Sequence, residues 1–147
     1  MSSLMAESEA LERVAQAMFT LLGDEFVTIE LNYSNVGPVS QARASAMRSD
    51  GTTTSFKWFD DVHDAIQRLR PVMYRTGTGT WLSARIVVTA DGSLDAAYNY
   101  SDPPWQTFDF APDAYAADLE RYPRDEKHIP PWLSDQLDAH RQGRTSL

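Results

Sequence analysis

Three histidines, His63, His128 and His140, are the side chains of this 147-residue chain best suited to binding a metal or moving a proton near neutral pH. They are far apart, and none stands in an HExxH or HxxxH spacing, so a metal site needs carboxylates carried to them by the fold. Solvated histidines on helix flanks and in a hinge are the simpler account. Asp60, Asp61 and Asp64 cluster where a helix begins. Capping and the helix dipole favour negative charge there, which explains the cluster without an acid–base or cation-binding role. Gly77-Thr78-Gly79 has the composition of a phosphate loop, but it leads into a strand and lacks the lysine and helix N-terminus that hold phosphate. Ser83 and Ser101 have no GxSxG context and no histidine near them in sequence. The sequence therefore points to no catalytic residue, no metal and no cofactor.

Chemistry for binding is better represented. Trp58, Phe59, Trp81, Trp105, Phe108, Phe110 and Trp132 are many large rings for a chain of this size, and most belong in a core. Trp105 and Phe108 differ, because they come after Pro103-Pro104 in a loop flanked by Asp102 and Asp109. A large ring among acids on a proline-stiffened loop suits a hot spot facing a basic groove. The simpler account of Trp105 is that it plugs the open end of a sheet. Asp102, Trp105, Phe108 and Asp109 are thus the candidate partner-binding residues. Arg124 comes after Pro123 and is surrounded by Asp118, Glu120, Asp125 and Glu126. A bidentate pair with Asp118 would lock a hinge between the last two helices.

The elements that must position these residues can be read from periodicity. Ser8 to Leu22 is predicted as a helix with Leu11, Val14, Ala15, Met18, Leu21 and Leu22 on its apolar stripe and Gly23 as its stop. Val27, Ile29, Leu31 and Tyr33 alternate with polar residues as a half-buried strand, turned by Asn35, Gly37 and Pro38. Val39 to Arg48 is alanine-rich, so helix competes there. Strand is preferred because Asp50-Gly51 and the run TTTSFKWF come next as a hairpin. This segment is also the candidate for an unpaired edge able to pair with a second copy.

Asp60 or Asp61 caps a second helix carrying Val62, Ile66, Leu69 and Met73, which Pro71 should end or bend. Trp81 to Thr89 reads as a central strand, Asp91-Gly92 as a second hairpin turn, and Leu94, Ala96, Tyr98 and Tyr100 as one face of the returning strand. Ser101-Asp102-Pro103-Pro104 ends the sheet. Asp113 opens a helix with Tyr115, Leu119 and Tyr122 on one face, stopped by Pro123. Pro130 and Pro131 launch the last helix, which carries Trp132 and Leu133. Residues 138–147 are expected to fray. The order implies an α+β fold: an antiparallel sheet of about five strands with an N-terminal helix, a middle helix and two C-terminal helices packed against it.

Bulk properties narrow the function further. The length suits a single domain spanning 1–147, and 42% hydrophobic residues with 11% aromatics exclude a disordered chain. With no cysteine, disulfides and thiolate zinc sites are impossible, and a reducing cytoplasm fits. No apolar run approaches the roughly 18 residues of a membrane span. The N-terminal MSSLMAESEA carries acids rather than a basic signal region, so no secretory signal is expected. A net charge of −8 argues against nucleic acid or an anionic membrane as partner and favours a basic protein, although solubility alone is the plainer explanation.

Three blocks in order, GTWLSARIVVTADG (Gly79–Gly92), YNYSDPPW (Tyr98–Trp105) and YAADLERYPRDEKHIPPWL (Tyr115–Leu133), resemble the YezG-like immunity proteins, or antitoxins, of bacterial polymorphic toxin systems. That family includes the immunity factor of the tuberculosis necrotizing toxin. The resemblance covers roughly the C-terminal half, and Leu82 and Tyr122 stand where phenylalanine is expected. It marks Trp81, Gly92, Tyr98, Asp118, Pro123, Arg124, Pro130 and Trp132 as motif residues with structural roles. Trp81, Tyr98 and Trp132 are accordingly expected to be scaffold, with Trp132 largely buried between the last helix and the sheet. The resemblance implies a cytoplasmic, non-enzymatic inhibitor without a cofactor. Its partner would be a cognate toxin, basic or with a basic active-site cleft, with an NAD-degrading toxin first and a nuclease second. The rival readings are a small hydrolase with carboxylates and histidines assembled around Trp81 and Tyr98, and a general protein-interaction module.

Overall fold

The computed structural model of the protein describes residues 3–56, 60–105 and 110–143. In chain order the elements are α1 (Ser3–Leu22), β1 (Phe26–Val36), β2 (Val39–Arg48), β3 (Thr53–Phe56), α2 (Asp60–Val72), β4 (Ser83–Thr89), β5 (Leu94–Asn99), α3 (Pro112–Arg121) and α4 (Pro131–Arg141), with a single 3-10 turn at Glu126–His128. The strands form one five-stranded sheet in the order β3-β2-β1-β4-β5. The expected α+β fold with an antiparallel sheet is what forms. On the β1–β4 seam, the N–H of Asn35 donates to the Leu82 carbonyl and that of Ala90 to the Val27 carbonyl, so residue numbers run in opposite directions. Among the described residues, no helix is long and apolar enough to cross a membrane.

Strand order corrects one expectation: β2 lies between β1 and β3, and the sheet edges are β3 and β5. β4 is interior, as its two-sided hydrophobicity required, with β1 in the middle. Two boundaries also move. α1 begins at Ser3, because nothing in its first turn breaks a helix. α4 continues to Arg141, so residues 138–141 are helical rather than frayed. An Asp138–Arg141 ion pair and a 2.7 Å hydrogen bond from His140 Nδ1 to Asp113 Oδ1 hold that last turn. Pro71 sits inside the final turn of α2, which runs one residue past it.

The two Asp-Gly turns are built alike. Gly51 N–H donates to the Arg48 carbonyl at 2.9 Å, and Gly92 N–H to that of Thr89 at 2.9 Å. Asp50 Oδ1 accepts the N–H of Thr52, and Asp91 Oδ1 that of Ser93, both at 2.9 Å. Both are three-residue hairpin loops, a type I turn closed by glycine at positive φ, +88° and +92°. The carboxylates of Asp50 and Asp91 are held below their ordinary range, first by hydrogen bonds from the side chains of Thr52 and Ser93 and then by these main-chain bonds.

The residues fall into two compact units. The first comprises Met1–Tyr33, Ala42–Met73 and Ala84–Ala97. In it α1 and α2 pack together, burying Val14 and Met18 from one helix and Val62, Ile66 and Leu69 from the other. The strands contribute Ile29, Leu31, Ala44, Ile86 and Val88. The ring of His63 meets Tyr33 edge-on, which seats α2 over β1.

The second unit comprises Ser34–Gln41, Tyr74–Ser83 and Tyr98–Leu147. Its core gathers Val36, Leu82, Phe110, Ala114, Tyr115 and Leu133, with Leu119, Ile129 and Trp132 partly buried against them. Pre-proline geometry ends α3 as expected: Tyr122 leaves the helical region at φ −125°, ψ 75° while its N–H still bonds the Asp118 carbonyl at 2.8 Å.

Candidate partner-binding site

Within the second unit, the chain leaving β5 carries the candidate loop. Asn99 is buried, and its amide organises the four residues after it. Nδ2 donates to the carbonyls of Asp102 and Pro103 at 2.9 and 3.0 Å, while Oδ1 accepts the N–H of Asp102 at 2.8 Å. The N–H of Trp105 donates to Ser83 Oγ at 3.0 Å, and that hydroxyl is paired with Ser34 Oγ at 2.9 Å in a buried position. With its main chain held this way, Trp105 still leaves 46% of its surface in solvent, and Asp102 is exposed beside it. Trp105 therefore does not plug the sheet. Phe108 and Asp109 lie outside the described residues, as do Trp58 and Phe59.

Several of the motif residues lie in the frame around this loop, whereas Gly92 closes the β4–β5 turn. Trp81 is fully buried and stacks on Tyr98, ring centroids 5.7 Å apart at 29°. Arg124 donates to three carbonyls: Tyr100 at 2.7 Å, Thr80 at 2.9 Å and His128 at 3.1 Å. A carboxylate clasp between Arg124 and Asp118 was the expectation from sequence. The hydrogen bonds described for the arginine run to main chain, and buried Asp118 accepts the Gly37 N–H at 2.9 Å. Trp132 is partly buried against the core of this unit, and its indole N–H reaches the Ser101 carbonyl at 2.7 Å. Leu133 is the residue that sinks, at 1% exposure. Pro123 and Pro130 bound the hinge; the Pro123 carbonyl accepts the Tyr74 hydroxyl at 3.1 Å.

The histidines are not brought together. His63 Nδ1 lies 3.4 Å from Gln67 Nε2, His128 Nδ1 donates to the Gly77 carbonyl at 3.1 Å, and His140 cross-links α4 to α3 through Asp113. The His140–Asp113 pair is solvent-exposed on both sides, so it joins two helices rather than lining a cleft. Among the described residues no group of three or more His, Asp or Glu side chains is placed to hold a metal. Asp61 and Asp64 share a shallow surface cleft with Arg13 and Arg68, which tempers the negative field of that helix start. Sequence reasoning missed Asn99 and the Ser34–Ser83 pair. The first had a usable signal, an asparagine three residues before an Asp-Pro turn.

No family model matches the chain, and no curated protein sequence matches it either.

Proposed function

We propose that this chain is a cytoplasmic immunity protein: a stoichiometric inhibitor that seats the Trp105 loop in a basic cleft of a cognate toxin domain and blocks its active site or substrate access. The observation that carries this reading is the half-exposed Trp105 indole on a loop whose main chain is fixed by Asn99 and Ser83. A large apolar ring left in water on a rigid support is unfavourable in isolation and suits a pocket on another molecule. Adjacent Asp102 and the net charge of −8 favour a basic rim around that pocket. The three sequence blocks that resemble the YezG-like immunity proteins supply the toxin context, with an NAD-degrading toxin as the first candidate. Co-expression with candidate toxin domains tests the reading. Survival and co-purification are expected with the wild-type chain, and both are expected to be lost in a folded Trp105→Ala variant. Survival without complex formation would refute it.

A further inference from the structure

Two side chains of the C-terminal helical hairpin reach the carbonyls of consecutive residues where the chain leaves β5. Arg124 takes Tyr100 at 2.7 Å, and the indole N–H of Trp132 takes Ser101 at 2.7 Å. The next two carbonyls, those of Asp102 and Pro103, belong to Asn99. Every main-chain carbonyl from Tyr100 to Pro103 therefore has a side-chain donor. Exposed connections are ordinarily satisfied by water and keep their freedom.

The far end of the segment is tied to the same place. Trp132 packs edge-on against Tyr115, centroids 5.6 Å apart, and Tyr115 packs edge-on against buried Phe110 at 6.3 Å. The chain thus leaves one end of an aromatic row at Ser101 and returns to its other end at Phe110. Fixing both ends of a loop removes conformations it would otherwise lose on binding.

We infer that Trp132 and Arg124 are positioning residues for the stretch from Tyr100 to Trp105, ordering its main chain in the free protein so that the indole is presented before any partner arrives. The inference rests on the reading of the Trp105 loop as an interface. It explains why position 132 holds tryptophan on a partly buried site, where phenylalanine would provide the same ring contact to Tyr115 but no donor for Ser101. It also explains an arginine at 124, since the guanidinium spreads its donors over two separated nitrogens, Nη1 to Tyr100 and His128 and Nη2 to Thr80, whereas an ammonium carries all of its donors on one atom.

Amide hydrogen exchange on the full chain tests this without a partner. The N–H groups of Asp102 and Trp105 are the reporters, being bonded to Asn99 Oδ1 and Ser83 Oγ. In Trp132→Phe, both are expected to exchange on the order of tenfold faster, while the amides of Leu31 and Ile86 keep their wild-type rates. Arg124→Lys should show the same local pattern if it folds; Trp132→Phe decides the matter if it does not. Unchanged exchange at Asp102 and Trp105 in folded Trp132→Phe overturns the inference. So does equal acceleration at every amide, which reports a loss of global stability only. Failure of the interface reading looks different: full protection by Trp105→Ala would remove the interface and leave the exchange result standing.

Discussion

A Cβ placed on Gly79 would lie 2.6 Å from Nε and 2.7 Å from Cγ of Arg124, so the arginine stem rests against a position that only glycine leaves open. Gly79 also stands at φ +89°, a conformation that an L side chain resists. Gly79→Ala should therefore lose about 1–2 kcal/mol from backbone strain and more from displacing Arg124. Gly51 is the control. It has nearly the same φ, +88°, but an added Cβ there meets nothing within 4 Å. Urea denaturation should show Gly79→Ala as clearly the more damaging of the two; equal losses would show that the arginine adjusts freely.

Leu133, not Trp132, should dominate the stability of the second unit. Leu133→Ala empties a fully buried site and is expected to lose on the order of 2–5 kcal/mol. Trp132→Phe keeps the ring contact and loses one surface hydrogen bond, a deficit of about 1 kcal/mol. Thermal or urea melts that reverse this order would contradict the packing described for Leu133.

Acid should weaken one cross-strand link in the first unit. Glu30 accepts Arg85 Nη2 at 2.9 Å and Asn32 Nδ2 at 2.8 Å, and these bonds, the arginine's foremost, hold its carboxyl below the ordinary value of 4.5. The sign comes from linkage. A depressed carboxylate contributes stability that is present above the unfolded-state value and is lost as pH falls through the folded one. Glu30→Gln should flatten the stability profile below about pH 4.5, with little effect on its shape near pH 7. Because both side chains are partly solvated the effect should be small, and high salt should shrink it. An unchanged acid limb in Glu30→Gln would show that the link adds nothing to stability.

Binding kinetics should separate the two parts of the loop. Charge steering is screened over roughly 8–10 Å at physiological ionic strength, so association with a basic toxin should slow as salt rises. Asp102→Asn should lower the on-rate, whereas Trp105→Ala should mainly raise the off-rate by emptying a pocket. Salt-independent association together with tight binding by Trp105→Ala would place the interface elsewhere.

Features that are periodic or locally enforced are legible in the sequence. The stripes of α1 and α2, the alternation in β1 and β4, both Asp-Gly turns and the proline-bounded hinge are set by neighbours along the chain. Strand order is not, so β2 reads as an edge although β3 flanks it. The partners of Arg124 escape for a related reason. They are main-chain carbonyls of Tyr100, Thr80 and His128, and a carbonyl is present at every residue and leaves no mark in the sequence. The acids beside Arg124 do leave a mark, which is why the sequence points to Asp118 and not to these carbonyls. Trp132 and Leu133 are adjacent and both apolar, so only the helix phase decides that leucine faces inward. Composition does not report exposure, which is why Trp105 reads more simply as a plug than as a hot spot until the fold is in view.

The aromatic row of Phe110, Tyr115 and Trp132 anchors the chain where it leaves Ser101 and where it reaches Phe110. The anchoring groups belong to the helices and to the main chain, so side-chain replacements at exposed Asp102 and Trp105 should leave this frame folded as before. Recognition and folding are then carried by separate residues here: changes at Asp102 or Trp105 should spare the fold, whereas changes at Trp132, Arg124 or Tyr115 should reach it.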